Sequence, residues 1–195
     1  NWKVIYFVSS VFTIILALLL KKRLPHVPTF KMSYARIFHS MAILICEEKR
    51  LIFRALIGGF SFAAMSILFS TIAVLLTRKP FNLPDALVGV VTLISVFGAL
   101  SAAQIGKIAD RGYTRALTWI GVCTMSISWI LLYTGGHSLL SYVIGYGVIN
   151  LGLAIVHSSN QNIIFRLRPD AKSRINSIYM TTYFTGGACG SALGV

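Results

Sequence analysis

Gly106-Lys107-Ile108-Ala109-Asp110-Arg111-Gly112-Tyr113-Thr114-Arg115 is a short charged turn between two long apolar runs, Asp85 to Ile105 and Ala116 to Tyr133. Each run is near the ~20 residues that a helix needs to cross the hydrocarbon core of a bilayer. Two such runs joined by so short a charged hairpin describe a polytopic membrane protein. Composition agrees with this. The 195 residues are 56% hydrophobic and 12% charged, with a mean hydropathy of +0.77. A soluble domain carries about twice that charged fraction.

Upstream of the turn, the third span runs Ala86 to Ile105 and is rich in small residues, Gly89, Gly98, Ala99, Ser101 and Ala102, which let membrane helices approach closely. The loop Thr77 to Pro84 precedes it; Asn82 is placed to cap the span, with Asp85 near its positive end. Leu51 to Leu76 forms the second span. Arg54 lies in its first turns, where a long side chain can snorkel to the headgroups. Phe62, Met65 and Phe69 share one face of this span, with Ser66 and Ser70 on a neighbouring one. Further back, Val4 to Leu20 is the first span, with Trp2 as an interfacial anchor and Lys21, Lys22 and Arg23 closing it. A secretory signal would carry its charges before the apolar run. The chain opens on Asn1 in mid-helix, so an upstream part is expected.

Between these first two spans lies Lys21 to Arg50, the longest polar segment. Pro25 and Pro28 break the helix after the first span. From Ser33 onward, Ile37, Phe38, Met41, Leu44 and Ile45 recur at helical spacing. They describe an amphipathic helix, either lying on the membrane surface or packed under the bundle.

Downstream of the turn, Ala116 to Tyr133 is the fourth span, Gly135-Gly136 a tight uncharged turn, and Leu139 to Phe165 the fifth span. A second basic hairpin follows with Arg166, Arg168, Pro169, Asp170, Lys172 and Arg174; the sixth span starts near Ile175 and runs to Val195. The fold class is therefore all-α, a polytopic membrane helix bundle with six predicted spans.

Charge fixes the orientation. Lys21, Lys22, Arg23, Lys31, Arg36, Lys49 and Arg50 in the central segment fall on the same side as Lys107, Arg111, Arg115, Arg166, Arg168, Lys172 and Arg174. The other side holds Lys3, Arg78 and Lys79. Residues 21–50, 106–115 and 166–174 are thus assigned to the cytoplasm. The net charge of +13 belongs to these loops, with no basic face or aromatic interleaving of the kind that binds nucleic acid. Cys46, Cys123 and Cys189 have neither disulfide nor zinc spacing, and are expected to be small apolar core residues. The five acids are scattered over loops, so neither an enzyme, nor a metal site, nor a cofactor is expected.

On the fifth span, Tyr142, Tyr146, Asn150, His157 and Gln161 are spaced by four, four, seven and four, which puts them on one helix face. Polar groups in a bilayer face a cavity or a polar partner. On the sixth span, Gly186, Gly190 and Gly194 repeat every four residues as a close-packing stripe.

The hairpin resembles the signature loop of the major facilitator superfamily, Gly-x-x-x-Asp-Arg/Lys-x-Gly-Arg-Arg/Lys between paired spans. Gly106, Asp110, Arg111 and Arg115 occupy matching positions; Gly112 and Tyr113 are in swapped order, and Thr114 replaces a basic residue. Arg168-Pro169-Asp170-Ala171-Lys172-Ser173-Arg174 is similar to the later proline-acid-basic loop of the same superfamily. The run Tyr179 to Ser191 is similar to its sugar-efflux and drug-efflux members, especially arabinose-efflux-like permeases.

The resemblance implies that the chain covers the sixth to eleventh helices of a twelve-helix secondary transporter, a partial major-facilitator-type fold. Residues 1–20 would be the last helix of the amino-terminal half, 21–50 the linker, and 51–195 the carboxy-terminal half without its last helix. It further implies a transporter of the inner membrane, exporting a small organic solute such as a sugar or drug by alternating access. Tyr146 and Asn150 would face the substrate, and the missing amino-terminal half would be required for transport. Gly106 would allow close helix approach, while Asp110, Arg111 and Arg115 would form a conformational switch. Protons are the candidate coupling ion of an antiporter. No span holds an interior carboxylate, so coupling would fall to the missing half or to His157. The competing expectation is a truncated remnant or membrane assembly protein.

Overall fold

The computed structural model describes residues 2–24, 33–134 and 138–195, and these are helical with no strand among the described residues. The side chain of Trp2, the Pro25 and Pro28 break, Lys31 and the Gly135-Gly136 turn lie outside the described residues. Two compact units are present, Asn1–Tyr34 and Ala35–Val195. The first is helix α1, Trp2–Arg23, which ends on Lys21, Lys22 and Arg23. Basic residues at that end complement the negative pole of the helix.

The second unit contains α2 (Tyr34–Glu47), α3 (Lys49–Thr77), α4 (Asp85–Thr92), α5 (Ser95–Ile108), α6 (Thr114–Thr134), α7 (Leu139–Leu167) and α8 (Lys172–Leu193). Stretches long and apolar enough to cross a bilayer are Lys3–Arg23, Lys49–Thr77, Asp85–Thr134, which holds two spans, and Leu139–Leu167. Helix α8 has 22 residues, ~33 Å at the α-helical rise, so length does not disqualify it. Its serines, threonines, tyrosines and glycines keep it below that apolar threshold.

Helix α6 packs along α7 and α3 along α8, with α5 and α3 also against α7. Small residues set both main crossings. Gly121 and Gly152 sit where α6 and α7 touch, and a side chain at either would meet Ile155 and Val156 or Met125. In α8, a Cβ at Gly186 would fall on the Gly59 carbonyl of α3, and one at Gly190 on that of Ala63. Gly194 faces Ser70 and Ile67 in the same way. With no aqueous driving force between helices in lipid, such backbone approach is what holds them together.

Several sequence expectations are corrected. The third span is not one regular helix: α4 and α5 are separated at Leu93 and Ile94, where the Leu93 amide is shared between Gly89 and Val90 and the amides of Ile94, Val96 and Phe97 make the shorter i to i−3 bonds. The Thr92 and Ser95 hydroxyls donate to the carbonyls of Gly89 and Thr92, tightening the turn. Asn82 does not cap α4. The cap position is Pro84, and Asn82 takes a left-handed conformation with φ 47°. Asp85 does lie in the first turn. Gly106 makes no close approach, since a Cβ there would meet nothing within 4 Å. The hairpin is instead a wide turn, Ala109–Tyr113, bent at Gly112 with φ 97°, a conformation glycine adopts without steric cost. All three cysteines are exposed, so Cys46, Cys123 and Cys189 are surface rather than core residues.

Helix α2 joins the second unit through Leu44, which is buried with Leu51, Ala55, Ile164 and Ile175, while Met41 packs beside it. Ile37 is half-buried, and Phe38, Ile43 and Ile45 are exposed.

Candidate functional site

Four helices bring polar side chains together one to two turns inside the basic end of the bundle. Helix α3 supplies Arg54. Its Nη1 donates to Thr118 Oγ1 of α6 at 2.6 Å and to Asn160 Oδ1 of α7 at 3.3 Å. Arg54 therefore turns into the bundle rather than out to the headgroups, because two neighbouring helices offer it oxygen acceptors. Thr118 Oγ1 and Ser159 Oγ lie 2.7 Å apart, and both reach the Thr114 carbonyl at 2.8 Å. Thr118, Ser159, Asn160 and Tyr179 are all buried.

Helix α8 closes the group. Tyr179 Oη lies 3.2 Å from His157 Nδ1, and Asn160 Nδ2 faces the Tyr179 hydroxyl without reaching hydrogen-bond geometry. Gly58, one turn above Arg54, makes room for this tyrosine: a Cβ there would come within 2.7 Å of Oη. His157 also touches Tyr183, with ring centroids 4.8 Å apart, and Tyr183 stacks on Phe62 at 4.3 Å.

Nothing acidic reaches Arg54. All five acids of the chain are described: Glu47 and Glu48 at the α2–α3 junction, Asp85 at the start of α4, and Asp110 and Asp170 in the two hairpins. None forms an ion pair with it.

Of the polar face expected on α7, His157 joins this group. Tyr146 is fully buried in the apolar core, edge-on to Phe69, and its hydroxyl, near Ser95 and Asn150, makes no well-formed hydrogen bond among the described residues. The Asn150 amide folds back onto the Tyr146 carbonyl at 2.7 Å, and its backbone lies against Gly98 of α5. The Tyr142 hydroxyl is likewise buried, with no hydrogen bond among the described residues. Gln161 is half-buried.

At the basic end the two hairpins are joined. Asp110 accepts from Asn162 Nδ2 at 2.6 Å and pairs with Arg166 at 3.4 Å. Arg111 and Arg115 are exposed, and neither has an ion-pair partner among the described residues. Asp110 is thus paired with Arg166 rather than with either of these arginines. Arg168 faces Glu47 at 3.7 Å, Glu48 at 3.9 Å and Asp170 at 3.5 Å. Pro169 opens a 3₁₀ turn, Pro169–Ala171, and Arg174 donates to the Asp170 carbonyl at 3.3 Å.

Sequence reasoning missed Thr118, Ser159, Asn160, Tyr179, Glu47 and Glu48 as site residues. The available signal was the strongly polar run from His157 to Asn162, of which Ser159 and Asn160 are fully buried.

The model of the Major Facilitator Superfamily matches residues 1–191. The "Uncharacterized transporter YgaY" of Escherichia coli O157:H7 is 36% identical over 194 residues, 99% of this chain and 49% of that protein. The "Uncharacterized MFS-type transporter YybF" of Bacillus subtilis is 24% identical over 152 residues, 76% of this chain and 36% of that protein. An "Uncharacterized transporter" of Buchnera aphidicola is 26% identical over 121 residues, 62% of this chain and 30% of that protein. The chain spans about half the length of the curated relatives it matches. No solved structure matches.

Proposed function

Because this chain belongs to the major facilitator superfamily, we propose that it forms part of a secondary transporter exporting a small organic solute, such as a sugar or drug, by alternating access. Its setting is a multi-pass one in the membrane; the proposed membrane is the cytoplasmic one, with residues 21–50, 106–115 and 166–174 inside the cell. In this reading residues 1–20 end the amino-terminal half, 21–50 link the halves, and 51–195 form one wall of a midplane site. The amino-terminal half supplies the other wall.

The observation that carries the reading is the convergence of Arg54, Thr118, Asn160, His157 and Tyr179 from four helices of an otherwise apolar bundle. Polar groups at membrane depth are costly and mark solute or ion pathways. Tyr146 and Asn150 are the proposed midplane contacts, with the buried Tyr146 hydroxyl gaining a partner when the helices rearrange. His157 is the proposed proton carrier, since no carboxylate lies inside any described span. The Asp110–Arg166 pair and the Arg168 cluster are proposed to hold one conformation at the basic face and release it in the other.

The test is solute flux in cells making the natural protein, against a deletion of its locus, with and without collapse of the proton gradient. Export that is lost on deletion supports transport, and loss on gradient collapse supports proton coupling. Unchanged flux for every solute tried, with the protein present in the membrane, sinks the proposal in favour of a non-transporting remnant or assembly protein.

A further inference from the structure

We infer that Arg54 and Asn160 form a binding site for an anionic group, and that the exported solute carries one, a carboxylate or a phosphate. The second part rests on the transport reading; the first does not.

Arg54 keeps its charge at every accessible pH. It stands five residues inside α3, and its partners, Thr118 and Asn160, are neutral. None of the five acids of the chain reaches it, so the second unit offers no counter-charge. A guanidinium held partly out of water by neutral oxygens alone is poorly compensated. Both of its hydrogen bonds leave from Nη1, and Nη2 and Nε make none among the described residues. That free edge is the planar fork that pairs with two oxygens of a carboxylate or phosphate.

Asn160 is a second sign. It is fully buried, its Oδ1 is taken by Arg54, and its Nδ2 makes no hydrogen bond among the described residues. Buried amides are nearly always satisfied. Here a buried amide nitrogen that makes no hydrogen bond among the described residues belongs to the side chain that also holds a guanidinium with no acid in reach. The groups left without a hydrogen bond here, the outer edge of Arg54 and the Asn160 amide nitrogen, are all donors. A neutral polyol would bring as many donors as acceptors, whereas an oxyanion brings acceptors only. The position near the basic end of the bundle is also within reach of a lipid phosphate, a second source of the same chemistry.

The test uses the natural protein in phosphatidylcholine nanodiscs. Its apparent melting temperature is followed with gluconate against sorbitol, with glycerol 3-phosphate against glycerol, and with inorganic phosphate, all at one ionic strength. Discs containing phosphatidylglycerol form a separate arm. The expected result is a rise of about 5 °C at hundredfold excess over Kd for a soluble anion, without a rise for its neutral partner. Arg54→Gln abolishes that rise. Asn160→Asp, which supplies the carboxylate internally, also abolishes it while the ligand-free protein melts no lower than the parent. This second variant decides the matter if Arg54→Gln does not fold.

An Arg54-dependent rise with phosphatidylglycerol alone keeps the anion site and overturns the solute assignment. No Arg54-dependent response in either arm overturns both. Anion binding without flux of any solute leaves the site standing and removes the transport reading.

Discussion

Arg54 of α3 and Thr118 of α6 are joined by a 2.6 Å hydrogen bond across 64 residues of sequence. The same Thr118 hydroxyl meets Ser159 of α7, so one threonine couples three helices. Thr118→Val removes the acceptor while nearly conserving shape, and leaves the guanidinium with Asn160 alone. The expected loss of stability is about 1–3 kcal/mol, read from thermal melting of the natural protein in detergent. Thr118→Ser, which keeps the hydroxyl, should melt close to the parent. Equal melting of the Val and Ser variants would mean that this bond contributes nothing.

Gly190 and Gly106 should respond oppositely to alanine. At Gly190 the added methyl falls on the Ala63 backbone, whereas at Gly106 it meets open space. Gly190→Ala is expected to cost about 1–3 kcal/mol through forced separation of α3 and α8. Gly106→Ala should be neutral or slightly stabilising, because alanine is the better helix former. Melting curves of the two variants give the comparison directly.

Gly112 bends the hairpin with φ 97°, where a Cβ is strained whatever the surrounding space. Gly112→Ala should therefore cost about 1–2 kcal/mol. The swapped order of Gly112 and Tyr113 thus has a local reason: in this chain the bend falls at 112. A Gly112→Ala variant as stable as the parent would place the turn elsewhere.

Asp110 and Arg166 are more than half exposed, with side chains 68% and 57% accessible. Such a pair contributes less than about 1 kcal/mol. Asp110→Asn and Arg166→Gln should therefore leave melting almost unchanged. If the pair is a switch as proposed, both variants alter export rate, and the double variant resembles either single one. A large melting shift without a change in rate would make the contact structural.

The exposed cysteines report position. Cys123 and Cys189 lie at exposed positions within helices α6 and α8, and Cys46 lies at the end of α2. A membrane-impermeant maleimide should label Cys46 from the basic side and spare the other two. A lipid-soluble maleimide should reach all three. Labelling of Cys46 from the outside of intact cells would reverse the proposed orientation.

The all-α bundle character, most of the long helices and the two charged hairpins were legible because each rests on local pattern. Apolar length, loop charge and glycine spacing are properties of neighbouring residues. Gly186 and Gly190 were identified as a packing stripe from their four-residue repeat, and they do lie on the α3 backbone. The break between α4 and α5 was not legible. It is a change of backbone bonding at Leu93 and Ile94, to which hydropathy is blind.

What the sequence by itself determined is the membrane character, the boundaries of most spans and the family resemblance, since transfer of backbone and side chains into lipid is a local, additive quantity. What only the tertiary structure decided is where the lone interior arginine points. Arg54 has the length either to reach the headgroups or to turn inward. Thr118 and Asn160 lie 64 and 106 residues away in sequence, yet both stand within hydrogen-bond reach. The physical reason is that a charge at the edge of a bilayer goes to whichever polar partners cost least to reach, and those partners exist only once α3, α6 and α7 have packed.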